Sequence, residues 1–254
     1  MKLGAATRWI VAIALVSTAA TFAAGDKAGE KKDKPKPAAP QMVDSGSFGV
    51  FIKGQRVITE TFNIQQESDH STIKSQLRET AGATPTDQKS DLEITSSGAL
   101  VRYEWSQATG SSLQVVPKDE FLIEKITATP TAKAAEQPFL MPNTSTILDN
   151  NFFIHREVMA WRYLATAPCN GDAGNRKCQA EEYGVLVPQD RTSLRVRMEL
   201  AGKEKVTIHG SQRELLRLNL RGEGFDWALY LDDHDQYKLM RVAIPADNTE
   251  VVRD

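Results

Sequence analysis

Four histidines, His70, His155, His209 and His234, are the first residues to test for chemistry. They stand far apart in different predicted elements, and no pair has metal-ligand spacing. His155 lies beside Arg156 and Glu157, where it reads either as a general base or as a hydrogen-bonded histidine of the core or rim. Asp232, Asp233, His234 and Asp235 form the densest group of hard oxygen ligands, the kind that suits calcium or magnesium. Their spacing is not that of a calcium loop, and Asp bonds its own backbone in turns, so a hairpin turn is the plainer reading. Cys169 and Cys178 enclose the polar stretch 170–177 without a C-x-x-C spacing or an adjacent histidine, which predicts a disulfide and not a redox or metal site. The chain contains no G-x-S-x-G, H-E-x-x-H, phosphate loop or dinucleotide fingerprint. No catalytic, metal-binding or cofactor-binding residue is therefore assigned, and an enzyme is not the expectation.

Residues 1–24 carry Lys2 and Arg8, then an apolar run over 9–16, then small residues at 20–24. This is the pattern of a cleaved secretory signal, and its apolar run is short for a membrane span. The expectation is an exported protein, periplasmic or secreted, with no stable transmembrane span after cleavage. Formal charge is −2 over the 254 residues, and losing Lys2 and Arg8 with no acid leaves −4. That lacks the basic surplus that phosphate contacts need, so nucleic acid is not an expected partner. Residues 25–42, GDKAGEKKDKPKPAAPQM, form a Lys/Pro-rich tether expected to be disordered, and residues 43–254 form a single β-rich domain.

The element expected to organise that domain is 147–165, ILDNNFFIHREVMAWRYLA, where helical spacing beats strand alternation. Apolar residues fall on nearly every side, interrupted by Arg156, Glu157 and Arg162, so the segment reads as a buried helix that something must wrap. Asp149 is its expected N-cap, and Pro168 forbids continuation much past Thr166. Around it the chain reads as roughly ten short strands. The clearest alternates Leu194, Val196, Met198 and Leu200 with Arg195, Arg197 and Glu199. Ile58, Phe62 and Ile64 share another face with Glu60, which must then lie at an edge or find a partner. Residues 127–142 read as a crossover loop, and 201–203 as a turn. The fold class is mainly β: a strongly curved antiparallel sheet or open half-barrel wrapped around one apolar helix. Trp105, Phe121, Phe152, Phe153, Met159, Trp161 and Trp227 are candidates to line a lipid or ligand cavity, or to be ordinary core.

The stretches GSFGVFIKGQRVITETF, ILDNNFFIHREVM and WALYLDDHDQYKLMRVAIPADNTEVVR together resemble a family of exported bacterial proteins of unknown function. That family's domain is similar to the open β-barrel of the lipoprotein-localisation carriers, in which helices plug an apolar concavity. The resemblance implies a fold more than an activity. With the export signal and the apolar helix it suggests a non-enzymatic envelope binding module that holds an apolar ligand, such as a lipid, or a partner segment in its curved sheet. The alternative is an envelope interaction or scaffold protein with a self-filled core, no small-molecule ligand, and strand edges or loops that bind another envelope protein.

Overall fold

The computed structural model describes residues 39–79, 87–142, 145–171 and 176–254. All of the expected signal segment and residues 25–38 of the tether lie outside them. The described body belongs to one compact unit, Pro37–Asp254. Its first strand begins at Gln41, so the last two residues assigned to the tether are already paired, with Gln66 and Gln65.

The chain runs through an eight-strand meander: β1 (Gln41–Ile52), β2 (Gln55–Gln66), β3 (His70–Glu79), β4 (Asp87–Thr95), β5 (Leu100–Gln107), β6 (Ser112–Lys118), β7 (Phe121–Thr127) and β8 (Ala135–Leu140). The short β9 (Thr146–Ile147) leads to α1 (Ile154–Thr166), the one α-helix among the described residues, and a two-strand ribbon, β10 (Cys169–Asn170) with β11 (Lys177–Cys178). A second meander follows: β12 (Glu181–Val187), β13 (Thr192–Ile208), β14 (Ser211–Gly222), β15 (Phe225–Asp232), β16 (Lys238–Ile244) and β17 (Thr249–Arg253). Fifteen strands form one sheet, ordered β8 to β1 and then β17 back to β12 and β9. Every pairing is antiparallel except β12 with β9.

The two ends of this sheet, β8 and β9, are consecutive in sequence and separated only by residues 141–145. Such a link spans at most roughly 20 Å, so the sheet must roll until its ends approach without pairing. Gly184 of β12 lets the link cross, because a Cβ there would meet Ser145 Oγ at 3.1 Å. The result is the expected curved, unclosed antiparallel sheet around one helix. Cross-strand register explains which face turns inward: Ile64, Ile73, Leu92, Tyr103, Val115 and Glu124 lie opposite one another from β2 to β7, and all are buried. The row beside it, Asn63, Lys74, Asp91, Glu104, Gln114 and Lys125, is polar and faces outward.

Five expectations change. Among the described residues the sheet and ribbon contain seventeen strands, not roughly ten, because short runs pair well once neighbours supply the second edge. The helix starts at Ile154, not Ile147. Asp149 Oδ1 accepts the Asn151 and Phe152 N–H groups at 2.7 and 3.2 Å, closing a local turn just before the helix, and so is not its N-cap. Residues 135–140 of the expected loop form edge strand β8, where Pro138 is tolerated because an edge position needs no inward N–H at alternate residues. Residues 201–203 are not a turn but a bulge inside the 17-residue β13.

That bulge changes which face is apolar. Before it, Val196 and Met198 pack in the main core with α1; beyond it, Val206 and Ile208 join Leu215, Ala228, Tyr230 and Val252 in a second, smaller cluster. His209 at the hairpin tip contacts the Arg253 carbonyl at 2.7 Å, tying the arm to β17. Gly202 holds φ at +113°, a left-handed conformation that a side chain resists. We expect Gly202→Ala to lower stability by about 1–2 kcal/mol in urea unfolding, although open space surrounds its Cβ position. An unchanged midpoint would show that the bulge relaxes freely.

Candidate functional site

The sheet's concavity is occupied by α1, which buries three consecutive polar residues there. His155, Arg156 and Glu157 are 1%, 0% and 0% exposed. A helix beginning inside an apolar shell leaves its first N–H groups without water, and a cation beside them adds to that positive end. Glu60 of β2 answers both: its carboxylate accepts the Phe153 N–H at 2.6 Å and the Ile154 N–H at 3.2 Å, with Ser75 Oγ donating at 2.8 Å. The acid that the strand pattern left unpartnered is thus the cap of the buried helix. Burial pushes its carboxyl up to about 7 despite these hydrogen bonds and the nearby Arg156 charge.

Asp149 forms a second node. Besides its local turn it accepts the Tyr103 hydroxyl and the Gln189 side-chain amide. Arg156 donates to the Asp149 and Phe152 carbonyls, both at 2.6 Å, and its guanidinium lies 4.7 Å from the ring centres of both Phe153 and Trp227. Burial lowers its pKa to about 10, so it stays charged at neutral pH. The His155 ring meets Tyr103 edge-on, and neither of its nitrogens has a hydrogen-bond partner among the described residues. Burial pulls its pKa down to about 4, which leaves it neutral. Glu124, on β7, is fully buried with both carboxylate oxygens unpartnered among the described residues, and desolvation raises it to about 7, partly offset by Arg191.

Glu157 ties the helix to the sheet's midline. Its carboxylate accepts the Leu239 N–H at 2.6 Å and Arg253 Nη1 at 3.2 Å. Arg253 Nη2 in turn lies 2.7 Å from both Asp44 oxygens, and the guanidinium lies over Phe48 and Phe62. Burial first, then Asp44, holds the Glu157 carboxyl well above the usual range.

Of the candidate cavity residues, Trp105 alone borders one of the recesses described below. Phe152, Phe153 and Met159 are buried core. Trp161 is half-buried and donates to the Tyr237 carbonyl at 2.9 Å; Trp227 is half-buried against Arg156 and Phe225. Trp105 is half-buried and donates to Gln88 Oε1 at 3.0 Å. Phe121 is 40% exposed, because the register of β7 turns Leu122 and Glu124 inward instead. Cys169 and Cys178 form the disulfide just past the helix. His70 pairs with Asp69, and the 232–235 group is a turn whose Asp232, Asp233 and Asp235 meet Arg213, Lys203 and Lys238. Among the described residues no group of three or more His, Cys, Asp or Glu is placed to hold a metal ion, and no helix is long and apolar enough to cross a membrane.

A recess also lies on the opposite face of the sheet. It is a trough of about 780 Å³ across β2 to β7, lined by outward rows that include Asn63, Lys74, Asp91, Glu104, Gln114 and Lys125. Five inter-strand steps give it a length of roughly 24 Å. Lys74 lies 3.8 Å from Asp91 and Lys125 3.0 Å from Glu136, while Lys89 has no ion-pair partner among the described residues. Two smaller recesses, about 530 and 370 Å³, flank the link between the sheet's ends.

No protein-family model matches the chain, and no curated protein matches it. Among solved structures it is similar to the crystal structure of a beta-barrel-like protein of domain of unknown function DUF1849 from Brucella abortus. That similarity has a TM-score of 0.49 and 7% sequence identity, over 83% of this chain and 94% of the other.

The buried acids set a pH dependence. Between pH 4.5 and about 7 the unfolded chain releases the Glu60 and Glu124 protons while the folded chain keeps them, so stability falls as pH rises. His155 acts in the opposite sense between about 4 and 6.5, because only the unfolded chain takes up its proton. The net expectation is a decline that is steepest between pH 6.5 and 7. Glu124→Leu, which extends the apolar row of β2 to β7, should raise stability at pH 8 by about 1–3 kcal/mol and flatten that decline. Urea midpoints at pH 5 and 8 check both. Equal pH slopes in variant and wild type would place the proton elsewhere.

Proposed function

We propose that this protein is a non-enzymatic interaction module of the bacterial envelope, with a core filled by its own side chains and a partner protein bound on its exterior. The observation carrying this reading is the occupation of the concavity by α1, with His155, Arg156 and Glu157 sealed inside. A carrier-like cycle, with α1 swinging out to admit a lipid, would separate Glu60 from the helix N-terminus and Glu157 from Arg253. Each buried group left without its hydrogen-bond partner would cost about 1–3 kcal/mol, with no compensating contact evident. The disulfide supports an oxidising compartment, in keeping with export. Sealed acids and a neutral histidine, none opening onto a recess, favour a structural over a catalytic role for the polar cluster.

The 780 Å³ trough favours a second reading, in which the outer face takes a polar ligand rich in hydroxyl or amide groups. The unpaired Lys89 and the amides of Asn63 and Gln114 are the groups that would orient it.

Native mass spectrometry of the mature protein from a bacterial periplasm, with organic extraction, tests the main reading. A clean protein mass with no lipid uptake, and one stoichiometric protein recovered from envelope extract, is the expected result. A reproducible lipid adduct would restore the carrier. A polar adduct lost in Lys89→Glu would establish the second reading.

A further inference from the structure

We infer that the free edge of β8 is a strand-addition site for an extended, apolar and basic segment of another envelope protein; this rests on the interaction reading above. Met141 donates its N–H to the Glu120 carbonyl at 3.2 Å, which sets the phase of the β7–β8 ladder. In an antiparallel ladder alternate residues bond the same neighbour, so Gln137 and Phe139 face β7 while Glu136, Pro138 and Leu140 face away. Two N–H groups and three carbonyls thus line the edge, with no hydrogen bond among the described residues. The opposite end of the sheet is managed differently: β9 has two residues, both buried, and the following Leu148 N–H bonds back to Leu186.

The side chains at this edge point to what binds there. Leu140 is 73% exposed and lies directly across from Phe121 at 40%, the two forming an apolar pair on the outermost strands. They adjoin the recess of about 370 Å³ lined by Asp119, Glu120, Leu140, Met141 and Pro142. Asp119, Glu120 and nearby Glu182 are exposed and without ion-pair partners among the described residues, and they outnumber the flanking Lys118 and Arg195. An incoming strand that places an apolar side chain on Leu140 and a lysine or arginine beside Asp119 and Glu120 satisfies both features. A second copy of this chain fits poorly. Antiparallel self-pairing about Pro138 would set two residues without N–H groups opposite each other, and each copy would bring the same acids.

Proline at an outward position deletes only an outward donor, which makes the edge testable without disturbing β7. The bait is the full-length mature protein with a benzophenone side chain at position 121, irradiated in envelope extract, with crosslinked peptides sequenced. Glu136→Pro and Leu140→Pro should keep the wild-type melting curve and disulfide yet lower the crosslinked product at least about ten-fold, while Glu136→Ala keeps it. The captured segment should carry an apolar residue next to Lys or Arg, and a synthetic copy of it should lose binding when its alternate amides are N-methylated. Capture undiminished in folded proline variants, or a captured segment that is helical or acidic, would overturn the proposal and leave the interaction reading intact. A wild-type protein that captures nothing overturns both. A dimer in sedimentation that the same prolines dissociate would make the occupant a second copy and overturn the heterologous partner.

Discussion

The Glu60 carboxylate at the start of α1 is the contact on which the rest of the architecture depends. A helix enclosed on all sides has no water for its first N–H groups, and an uncapped buried end is among the costlier faults a fold can carry. Here the cap does not come from the residues before the helix. It reaches in from β2, 93 residues earlier in the chain, and therefore fixes the helix to one point on the sheet wall. With that point set, Arg156 falls between Phe153 and Trp227, and Glu157 falls against Arg253 and the Leu239 amide.

The same constraint commits the interior. On the helix, Arg156 lies in the field of Asp149 from the helix entry and Glu60 from β2, and Glu157 meets Arg253 of β17, which in turn pairs with Asp44 of β1. Such a network holds one arrangement of helix and sheet, and moving the helix would break several charge-assisted bonds together. In the proposed reading, with the concavity held by the helix, the chemistry offered to a partner lies on the outside. There the polar trough, the acidic rim and the unpaired edge of β8 remain exposed.

The sheet's failure to close has a physical origin as well. Its two terminal strands belong to consecutive parts of the chain, and Met141 and Ser145, at either end of the short link between them, lie against Gly184 of β12. One end is short and covered. The other, β8, keeps its length, and Pro138 is the feature that limits indiscriminate pairing there.

The alternation of Leu194, Val196 and Met198 against arginines and a glutamate was enough to place a half-wet antiparallel strand, and the dense apolar run before Pro168 was enough to place a buried helix. The two cysteines declared their disulfide by spacing alone. These are local signals, set by side-chain period and loop length, and they survive in a linear string. Glu60 was legible only as an anomaly, an acid on an apolar face that needed a partner; Asp44, Tyr103, Glu124 and Arg253 carried no such sign. Helix length, the strand nature of 135–140 and the bulge at Gly202 were misread because each depends on a hydrogen-bond partner supplied by a distant segment. Composition and periodicity therefore settled the class of the fold and the burial of its helix. Which charges meet inside the shell, and which strand edge stays free, were decided only when residues separated by as many as 209 positions came together. Burial and register are properties of the assembled sheet, and no local pattern encodes them.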